Sequence, residues 1–138
     1  MQSDLIKKHF EKSMKNYDQN ATVQNLMASK MVFELAKISK NFENILELGS
    51  GTGLLTKKIS KEINFKNYYA NDLVEKSKIY IQKIIPNVQF LCGSATRIKP
   101  LKKMNLIISN AMFQWFDNLE KSIDKIKFSL DKTGILAY

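Results

Sequence analysis

Hydrophobic and polar positions along the chain follow two different periods. Between residues 20 and 40, apolar side chains recur every three or four positions and predict a long helix with a stripe formed by Val23, Leu26, Met27, Met31, Leu35 and Ile38. Short apolar runs begin at residue 44 and predict β-strands at 44–48, 67–71, 88–92, 105–109 and 134–138. Amphipathic segments between the runs, and one near the start of the chain, predict helices at 4–15, 52–63, 74–84 and 117–130.

The alternation of strands with helices predicts an α/β fold. Helices between successive strands favour a parallel sheet that is covered by helices on both faces. Residues 1–40 would form an N-terminal helical arm, and residues 41–138 would form the sheet with its helices. Such sheets bind ligands beyond the carboxyl ends of their strands. The residues directly after each strand are therefore the candidates for a site.

The first of these positions is a glycine-rich loop, ELGSGTG, at residues 47–53. Glycine at alternate positions permits a tight turn and lets a ligand approach the backbone, and the following helix offers free N–H groups. The spacing does not fit a phosphate site: a dinucleotide fingerprint needs its third glycine where Leu54 stands, and a P-loop needs Gly-Lys-Ser/Thr. The carboxylate of Glu47 would also repel phosphate, whereas it suits a cationic ligand or an amino group.

A second candidate follows the second predicted strand, where the chain reads Asn71-Asp72. An acidic side chain at this place can accept hydrogen bonds from the two hydroxyl groups of a ribose. The same side chain could instead cap the helix predicted at 74–84. The two roles are compatible, and the sequence leaves both open.

Composition and charge narrow the choice of partners. The chain has 138 residues, of which 44% are hydrophobic, enough for one compact domain. Its net charge of +9 would suit an anionic partner. However, Arg97 is the single arginine among 22 basic residues, and arginine is the residue that base and phosphate recognition favours. We therefore expect nucleic acid not to be the principal partner.

A single cysteine, Cys92, excludes an internal disulfide framework and predicts a reducing, cytoplasmic compartment. Cys92 itself is predicted to be a small core residue at a strand end. The sequence has no apolar stretch of membrane-spanning length, no signal-peptide pattern at its start and no cluster of residues with metal-ligand spacing. We expect neither a membrane partner nor a bound metal.

The loop and the acidic residue together resemble the S-adenosylmethionine-dependent methyltransferases of the Rossmann-like class. The first motif of that family is an acidic residue, one more position and Gly-x-Gly-x-Gly, matched here by Glu47, Gly49, Gly51 and Gly53. Asp72 matches the family's acidic residue after the second strand. The resemblance implies a sheet of order 3-2-1-4-5, with the loop against the methionine part of S-adenosylmethionine and Asp72 at its ribose.

One position departs from the pattern of that family. Its third strand is usually followed by Gly-Asp-Ala, whose aspartate binds the adenine amino group, and this chain has Gly93-Ser94-Ala95. The Ser94 hydroxyl or the backbone at Ala95 could accept that bond. The full set of cofactor contacts that the resemblance implies is Tyr17, Gln24, Glu47, Gly49, Ser50, Gly51, Gly53, Asp72, Leu73, Ser94, Ala95 and Asn110.

The segment after the fourth strand, SNAMFQWF at residues 109–116, indicates the subgroup. Methyltransferases that act on amino groups of nucleic-acid bases carry Asn/Asp-Pro-Pro-aromatic here, and this segment has no proline. Ser-Asn-x-x-x-Gln-Trp instead resembles the malonyl-acyl-carrier-protein O-methyltransferases of biotin synthesis and the neighbouring trans-aconitate-methyltransferase-like group. In the arm, that family's opening segment is matched by the spacing of Phe10, Tyr17, Ala21 and Gln24.

This resemblance implies methylation of the free carboxyl group of malonyl-acyl carrier protein, with S-adenosylhomocysteine as the second product. Substrate and methyl group would be positioned by Tyr17, Asn110, Gln114 and Trp115. No acid–base catalyst is expected, because a carboxylate needs no base to attack a methyl sulfonium. A small carboxylate such as trans-aconitate, or another small molecule, is the alternative acceptor, and a non-catalytic cofactor-binding or assembly module is the alternative outside enzymes.

The resemblance covers the N-terminal part of that family, whose members continue past the fifth strand. We therefore expect a core that is incomplete at its C-terminus, before strands six and seven, and that could be inactive in isolation. A sheet that ends at strand five would expose an unpaired edge, which favours self-association or a partner. The lysine-rich surface would suit an acidic acyl carrier protein.

Overall fold

The computed structural model describes residues 21–110, 113 and 116–138. Helices and strands alternate over these residues as α1 (Ala21–Ile38), β1 (Asn41–Leu48), α2 (Leu54–Glu62), β2 (Asn64–Asp72), α3 (Ser77–Ile84), β3 (Gln89–Cys92), β4 (Met104–Ser109), α4 (Leu119–Lys127) and β5 (Leu130–Ala137). The helix predicted at 4–15, in the N-terminal arm, lies outside the described residues. Within them, no helix is both long and apolar enough to cross a membrane.

The strands form one parallel sheet in the order β3-β2-β1-β4-β5, which confirms the predicted order. Leu48, at the end of β1, pairs with Asn71 of β2 on one side and with Ser109 of β4 on the other. Asp72 pairs with Cys92 at the end of β3. The carboxyl ends of these strands are therefore level, and the segments that follow them lie at one edge of the sheet.

Helices cover both faces of the sheet, as the sequence predicts. Alternate residues of a strand point to opposite faces, and this separates two cores. Helices α1, α2 and α3 share one core with Ile45 and Leu106. On the other face, α4 contributes Ile126 to a core that contains Leu46 and Ile107. The sheet is thus the middle of three layers, which explains the near-continuous apolar runs of β1 and β4.

Asparagine side chains link the three central strands. The backbone N–H of Asn44 donates to Asn105 Oδ1 at 2.9 Å, and Asn44 Nδ2 donates to the Lys103 carbonyl at 3.2 Å. On the other side, Asn67 Nδ2 donates to Asn44 Oδ1 at 2.8 Å. Because Asn44 is buried, these bonds satisfy polar groups that would otherwise be unpaired. They also favour the observed register of β1 against β2 and β4.

The apolar stripe predicted for α1 is wrong as a buried face. Leu26 and Ile38 are 67% and 68% exposed, and Val23 is exposed as well. The fully buried residues of the helix are Ala28, Val32 and Leu35. Of the predicted stripe, only Leu35 is among them, and Met31 packs against the same core while partly exposed. The helix carries apolar residues on two faces, and periodicity alone cannot tell which of them meets the sheet.

The last helix and strand differ from their predicted boundaries. The helix predicted at 117–130 ends at Lys127, and β5 begins at Leu130 rather than at residue 134. Leu130 pairs with Met104. The register then shifts before pairing continues at Ile135. At this irregularity the polar residues 131–133 interrupt the apolar pattern. The start of the strand is therefore not visible in the sequence.

The ends and edges of the sheet hold other residues whose placement differs from prediction. Strands β1 and β2 begin at Asn41 and Asn64 rather than at residues 44 and 67, and these two asparagines pair in register. Backbone hydrogen bonds can continue a strand through polar residues, so the apolar run marks only part of it. Cys92 is exposed rather than part of the core, because it ends the edge strand β3.

Candidate cofactor-binding site

The glycine loop turns sharply between β1 and α2. Gly49, Gly51 and Gly53 have φ angles of 69°, 52° and 92°, in the left-handed region that favours glycine. A Cβ atom at Gly53 would overlap Ile84 Cδ1 of α3, so this glycine permits close packing against that helix. A Cβ atom at Gly51 would meet nothing within 4 Å. The space beside Gly51 is therefore where a ligand can approach the backbone of the loop.

Hydrogen bonds hold the loop against β2 and α3. Ser50 is buried, its backbone N–H donates to the Asn71 carbonyl at 2.8 Å, and its hydroxyl lies 2.9 Å from the Ser77 hydroxyl. The hydroxyl of Ser77 also lies 2.6 Å from the Gly51 carbonyl oxygen, to which it donates. The side chain of Ser50 therefore fixes the loop, and its contact with a cofactor stays a prediction.

The carboxylate of Asp72 is bound directly to the loop. Its Oδ2 accepts from the Gly51 N–H at 2.9 Å, and its Oδ1 accepts from the Val74 N–H at 2.9 Å. Burial raises the pKa of Asp72 above its ordinary value, while the backbone donors act to lower it. A carboxylate offers about four acceptor positions. Acceptor capacity therefore remains for other donors, such as ribose hydroxyl groups.

The capping alternative for Asp72 is wrong for α3. That helix begins at Ser77, and its N-cap residue, Lys76, makes no side-chain cap. Asp72 instead bonds the N–H of Val74, two residues on, which fixes the turn after β2. The intervening Leu73 is half-buried, and its predicted contact with the cofactor stays a prediction.

Glu47, two residues before the first glycine of the loop, is buried with 1% of its surface exposed. Its Oε1 accepts from Thr56 Oγ1 at 2.5 Å and from the Tyr68 hydroxyl at 2.6 Å. Burial raises the pKa of Glu47 to about 7 against the effect of these two donors, and the charge of Asp72 adds to the rise. Burial, with the nearby Glu47, likewise raises the pKa of Tyr68. Glu47 thus ties β1 to β2 and to the first turn of α2.

Two predicted cofactor contacts from distant parts of the chain meet at the same edge. Asn110 Nδ2 donates to the backbone carbonyl of Gln24 at 3.3 Å, which joins the first turn of α1 to the segment after β4. Asn110 Oδ1 and Gln24 Oε1 are buried and have no hydrogen-bond partner among the described residues. The two side chains therefore hold acceptor oxygens ready for a donor.

Three further polar residues of this edge are missed by the sequence pattern. Thr52 Oγ1, Asn71 Oδ1 and Ser109 Oγ are buried without a partner in the described part of the chain. Asn71 directs its Nδ2 to the carbonyls of Leu91 and Gly93, at 2.8 and 2.9 Å. Buried polar atoms are normally paired, so each of these oxygens is open to a donor from outside the described residues. The sequence contains one signal for two of these residues, because Asn71 and Ser109 each directly precede a predicted site residue.

The segment after β3 brings hydroxyl groups to the same edge. Ser94 Oγ lies 3.1 Å from Thr96 Oγ1, and Ala95 is buried. The N–H of Gly93 donates to the Asp72 carbonyl at 2.9 Å, which fixes the start of this segment beside β2. The adenine contact of Ser94 and Ala95 stays a prediction.

The aromatic residues after β4 contribute to the core. Phe113 is buried on the α4 side of the sheet, where its ring lies 5.2 Å from that of Phe116 and stacks 4.4 Å from that of Tyr138. Three residues predicted to position the substrate lie outside the described residues: Tyr17, Gln114 and Trp115.

The polar atoms at this edge fit the cofactor that the sequence implies. S-adenosylmethionine carries hydrogen-bond donors on its ammonium group, its ribose and its adenine. The edge offers amide oxygens of Gln24, Asn71 and Asn110 that lack partners among the residues described. It also offers the remaining acceptor capacity of Asp72, beside the space at Gly51. The donors of the ligand and the acceptors of the site therefore match.

Comparison with known proteins identifies the family. The family described as "Methyltransferase domain" matches residues 46–138. The chain is 34% identical, over 97% of its length, to a malonyl-[acyl-carrier protein] O-methyltransferase of Chlorobium luteolum, of which it covers 54%. It is 36% identical, over 97% of its length, to the protein of the same name from Priestia megaterium, of which it covers 50%. The chain thus spans about half the length of the curated relatives it matches.

Solved structures share the fold. An S-adenosylmethionine-dependent methyltransferase from Clostridium acetobutylicum superposes with a TM-score of 0.72 at 21% identity, covering 92% of this chain and 55% of that one. The N-methyltransferase NodS from Bradyrhizobium japonicum, in complex with S-adenosylhomocysteine, gives 0.68 at 16% identity, with 78% and 57% covered. The family match includes the glycine loop, Asp72 and Asn110. The chain belongs to the methyltransferase domain family.

Proposed function

We propose that the chain is the cofactor-binding part of an S-adenosylmethionine-dependent methyltransferase. The observation that carries this proposal is the open space beside Gly51, next to the Asp72 carboxylate that bonds the same residue. The names of the relatives, which are O-methyltransferases, support it. The cofactor would supply a methyl group that is already activated on a sulfonium.

Each site residue has a role in binding or orientation. Asp72 accepts hydrogen bonds from the ribose hydroxyl groups, and Gln24 and Asn110 accept from donors at the methionine end and orient the methyl group. The loop backbone at Gly51 lies against the ligand. The predicted substrate-positioning residues outside the described part of the chain complete the pocket in this proposal: Tyr17, Gln114 and Trp115.

We propose the free carboxyl group of malonyl-acyl carrier protein as the methyl acceptor, as the names of the relatives suggest. The buried polar atoms that lack a partner among the described residues belong to amide and hydroxyl groups, which orient a substrate but do not remove a proton at neutral pH. A carboxylate suits this set, because it attacks as an anion. The oxygen–carbon bond forms as the sulfur–carbon bond breaks, the electron pair stays on sulfur, and no proton is transferred.

Calorimetry with S-adenosylmethionine and S-adenosylhomocysteine tests the cofactor assignment. We expect both to bind the unaltered chain, and Asp72→Asn to weaken binding by about 1–3 kcal/mol through lost hydrogen bonds. Glu75→Gln, an exposed change three residues further on, is the matched control and should leave the affinity unchanged. Absence of binding by either ligand at millimolar concentration would refute the proposal.

Transfer of a labelled methyl group tests the acceptor. We expect transfer from S-adenosylmethionine to malonyl-acyl carrier protein to exceed transfer to malonyl-coenzyme A and to trans-aconitate. Faster transfer to trans-aconitate would instead assign a small carboxylate. Cofactor binding together with no transfer to any acceptor would favour the non-catalytic alternative for this chain.

We also propose self-association through β5. In the described sheet, β5 has one strand neighbour, β4, and an exposed strand edge can pair with a second copy. Sedimentation should show association that rises with protein concentration and needs no ligand. A single monomeric species over the whole concentration range would contradict it.

A further inference from the structure

A groove of about 540 Å³ lies between α1 and α2. Its lining includes the buried Val32 and the half-buried Ala36, and the ring of Phe33 is 62% exposed beside them. The other lining residues come from the middle and C-terminal parts of the two helices and from Lys40, which follows α1. None of the proposed cofactor contacts that the structure describes lines this groove. It is therefore separate from the cofactor site.

Positive charge dominates the groove. Its charged lining residues are four lysines and one glutamate, namely Lys37, Lys40, Lys58, Lys61 and Glu62. Lys37 lies 4.5 Å from the centre of the Phe33 ring and 3.4 Å from the Glu34 carboxylate. Over the residues the structure describes, the other three lysines form no ion pair. The exposed ring of Phe33 therefore lines the same groove as four lysines, three of which form no ion pair among the described residues.

Helix ends explain only part of this charge. Lys37 and Lys61 lie in the last turns of α1 and α2, where a positive charge compensates the helix dipole. Lys40 lies beyond α1 and Lys58 precedes the last turn of α2, so the dipole accounts for neither. It also does not explain why Phe33 is exposed between them. The combination of an apolar anchor with a ring of charge is typical of a docking surface.

We propose that this groove docks the acyl carrier protein, which rests on the carrier-linked acceptor proposed above. Acyl carrier proteins are strongly acidic, and complementary charge speeds encounter and fixes the orientation of the partner. The exposed ring of Phe33 provides the apolar contact at the centre of the interface. The lysines around it pair with carboxylates of the carrier.

The groove extends toward the amino end of β1, because Lys40 directly precedes that strand, whereas the cofactor site follows its carboxyl end. Helix α2 runs from the glycine loop toward the groove, and with a rise of about 1.5 Å per residue, Lys58 and Lys61 lie about 6 and about 10 Å along its axis from Leu54. A carrier protein holds its acyl group on an extended prosthetic arm, so docking and methyl transfer take place at separate points. The arm would run along the flank of α2 to reach the carboxyl edge of the sheet, and β1, which spans the same two edges, is about 23 Å long at about 3.3 Å per residue.

Binding of malonyl-loaded carrier protein to matched variants tests the proposal. The groove variant combines Lys40→Gln, Lys58→Gln and Lys61→Gln. The control variant removes the same charge from α4, on the opposite face of the sheet, with Lys121→Gln, Lys125→Gln and Lys127→Gln. In calorimetry at two salt concentrations, we expect the groove variant to lose about tenfold or more in affinity and most of its salt dependence, and the control to lose less than about twofold.

Two further measurements separate surface docking from other effects. Carrier protein that lacks its prosthetic arm should lose affinity by the same factor in the groove variant, because the lysines contact the protein and not the arm. Phe33→Ala should weaken carrier binding about fivefold, whereas Phe128→Ala, which removes an exposed ring outside the groove, should not. Affinity for S-adenosylmethionine should stay constant throughout, which also shows that each variant is folded.

Several outcomes would overturn the inference. Equal losses in the groove and control variants would mean that only net charge matters. Binding of S-adenosylmethionine without any carrier binding would refute the docking surface while the cofactor assignment stands. A chain that binds neither ligand would refute the proposed function and the docking surface together. Tighter binding of an RNA duplex than of the carrier, lost in the groove variant, would assign the groove to a different anion.

Discussion

At the scale of single residues, Gly51 and Gly53 occupy equivalent motif positions but serve different purposes. Both have positive φ angles, so an alanine at either place should cost about 1–2 kcal/mol of unfolding free energy. At Gly53 the added Cβ also overlaps Ile84 Cδ1, the end of a flexible side chain that must shift to make room, which adds a smaller cost. We therefore expect Gly53→Ala to be the less stable variant in urea unfolding.

The binding of S-adenosylmethionine should rank the same two variants in the opposite order. At Gly51 the added Cβ enters the space proposed for the ligand, so Gly51→Ala should lose more affinity than Gly53→Ala when both are measured below their unfolding transitions. Equal losses of affinity in the two variants would contradict the placement of the ligand beside Gly51.

The buried Glu47 makes stability depend on pH. Its pKa rises from an ordinary 4.5 to about 7 on folding, so the folded state favours the protonated carboxyl group. The stabilisation is complete below pH 4.5 and is lost as pH rises through about 7. We expect the unfolding free energy, measured in urea, to fall between pH 5 and pH 8.

The matched variant for this pH dependence is Glu47→Gln. A glutamine keeps an acceptor oxygen for Thr56 and Tyr68 but does not titrate, so the slope between pH 5 and pH 8 should become flatter. Asp72, whose pKa is also raised by burial, contributes a slope of the same sign in both proteins. An unchanged slope in the variant would show that Glu47 is ionised in the folded protein.

At the scale of elements, Asn44 connects β1 to both of its neighbours. Asn44→Ala leaves the Lys103 carbonyl and Asn67 Nδ2 without their side-chain partner, and unpaired buried groups cost about 1–3 kcal/mol. Asn41→Ala is the control, because the side chain of Asn41 accepts one exposed bond, from Asn64 Nδ2. We expect the Asn44 variant to unfold at clearly lower urea concentration, and the control to change by less than about 0.5 kcal/mol. Similar losses in both would assign the strand register to the backbone alone.

The hydrophobic pattern predicted which helices and strands exist, but not which of their faces are buried or where they begin. The apolar period of α1 correctly predicts a helix, yet the exposed Leu26 and the buried Leu35 belong to the same predicted stripe. The helical period of apolar residues identifies the buried face only when a single face is apolar, and α1 has two apolar faces. Conversely, the pattern predicts that the last strand starts at residue 134, whereas β5 already includes Leu130. The pairing of β5 with β4 shifts register between these two points, and a shift in pairing cannot be seen in the sequence of one strand.

At the scale of the whole molecule, the cofactor should stabilise the entire fold, because the site draws on α1, the loop after β1, β2 and β4. A ligand that binds only the folded state raises the unfolding free energy by about 2.7 kcal/mol at 100 times its dissociation constant. We expect S-adenosylhomocysteine to shift the urea transition of the unaltered chain, and to shift that of Asp72→Asn less at the same concentration.

Adenosine triphosphate is the control ligand for that shift. It shares the adenosine of the cofactor but carries phosphates, for which the loop lacks the required spacing and next to which Glu47 and Asp72 are unfavourable. An equal shift with adenosine triphosphate would show that the site recognises only adenosine, and would remove the role assigned to Gln24 and Asn110.

The sequence by itself determined the class of fold, the order of elements and the two motifs, the glycine loop and Asp72. These are local properties, because strand–helix alternation and the spacing of glycines depend only on residues that are close together in the chain. Only the tertiary structure decided that Gln24 meets Asn110, that oxygens of Thr52, Asn71 and Ser109 are buried without a partner among the described residues, and that Glu47 is buried. Those facts depend on strand register and on which face of α1 packs, and contacts between residues distant in the chain fix both.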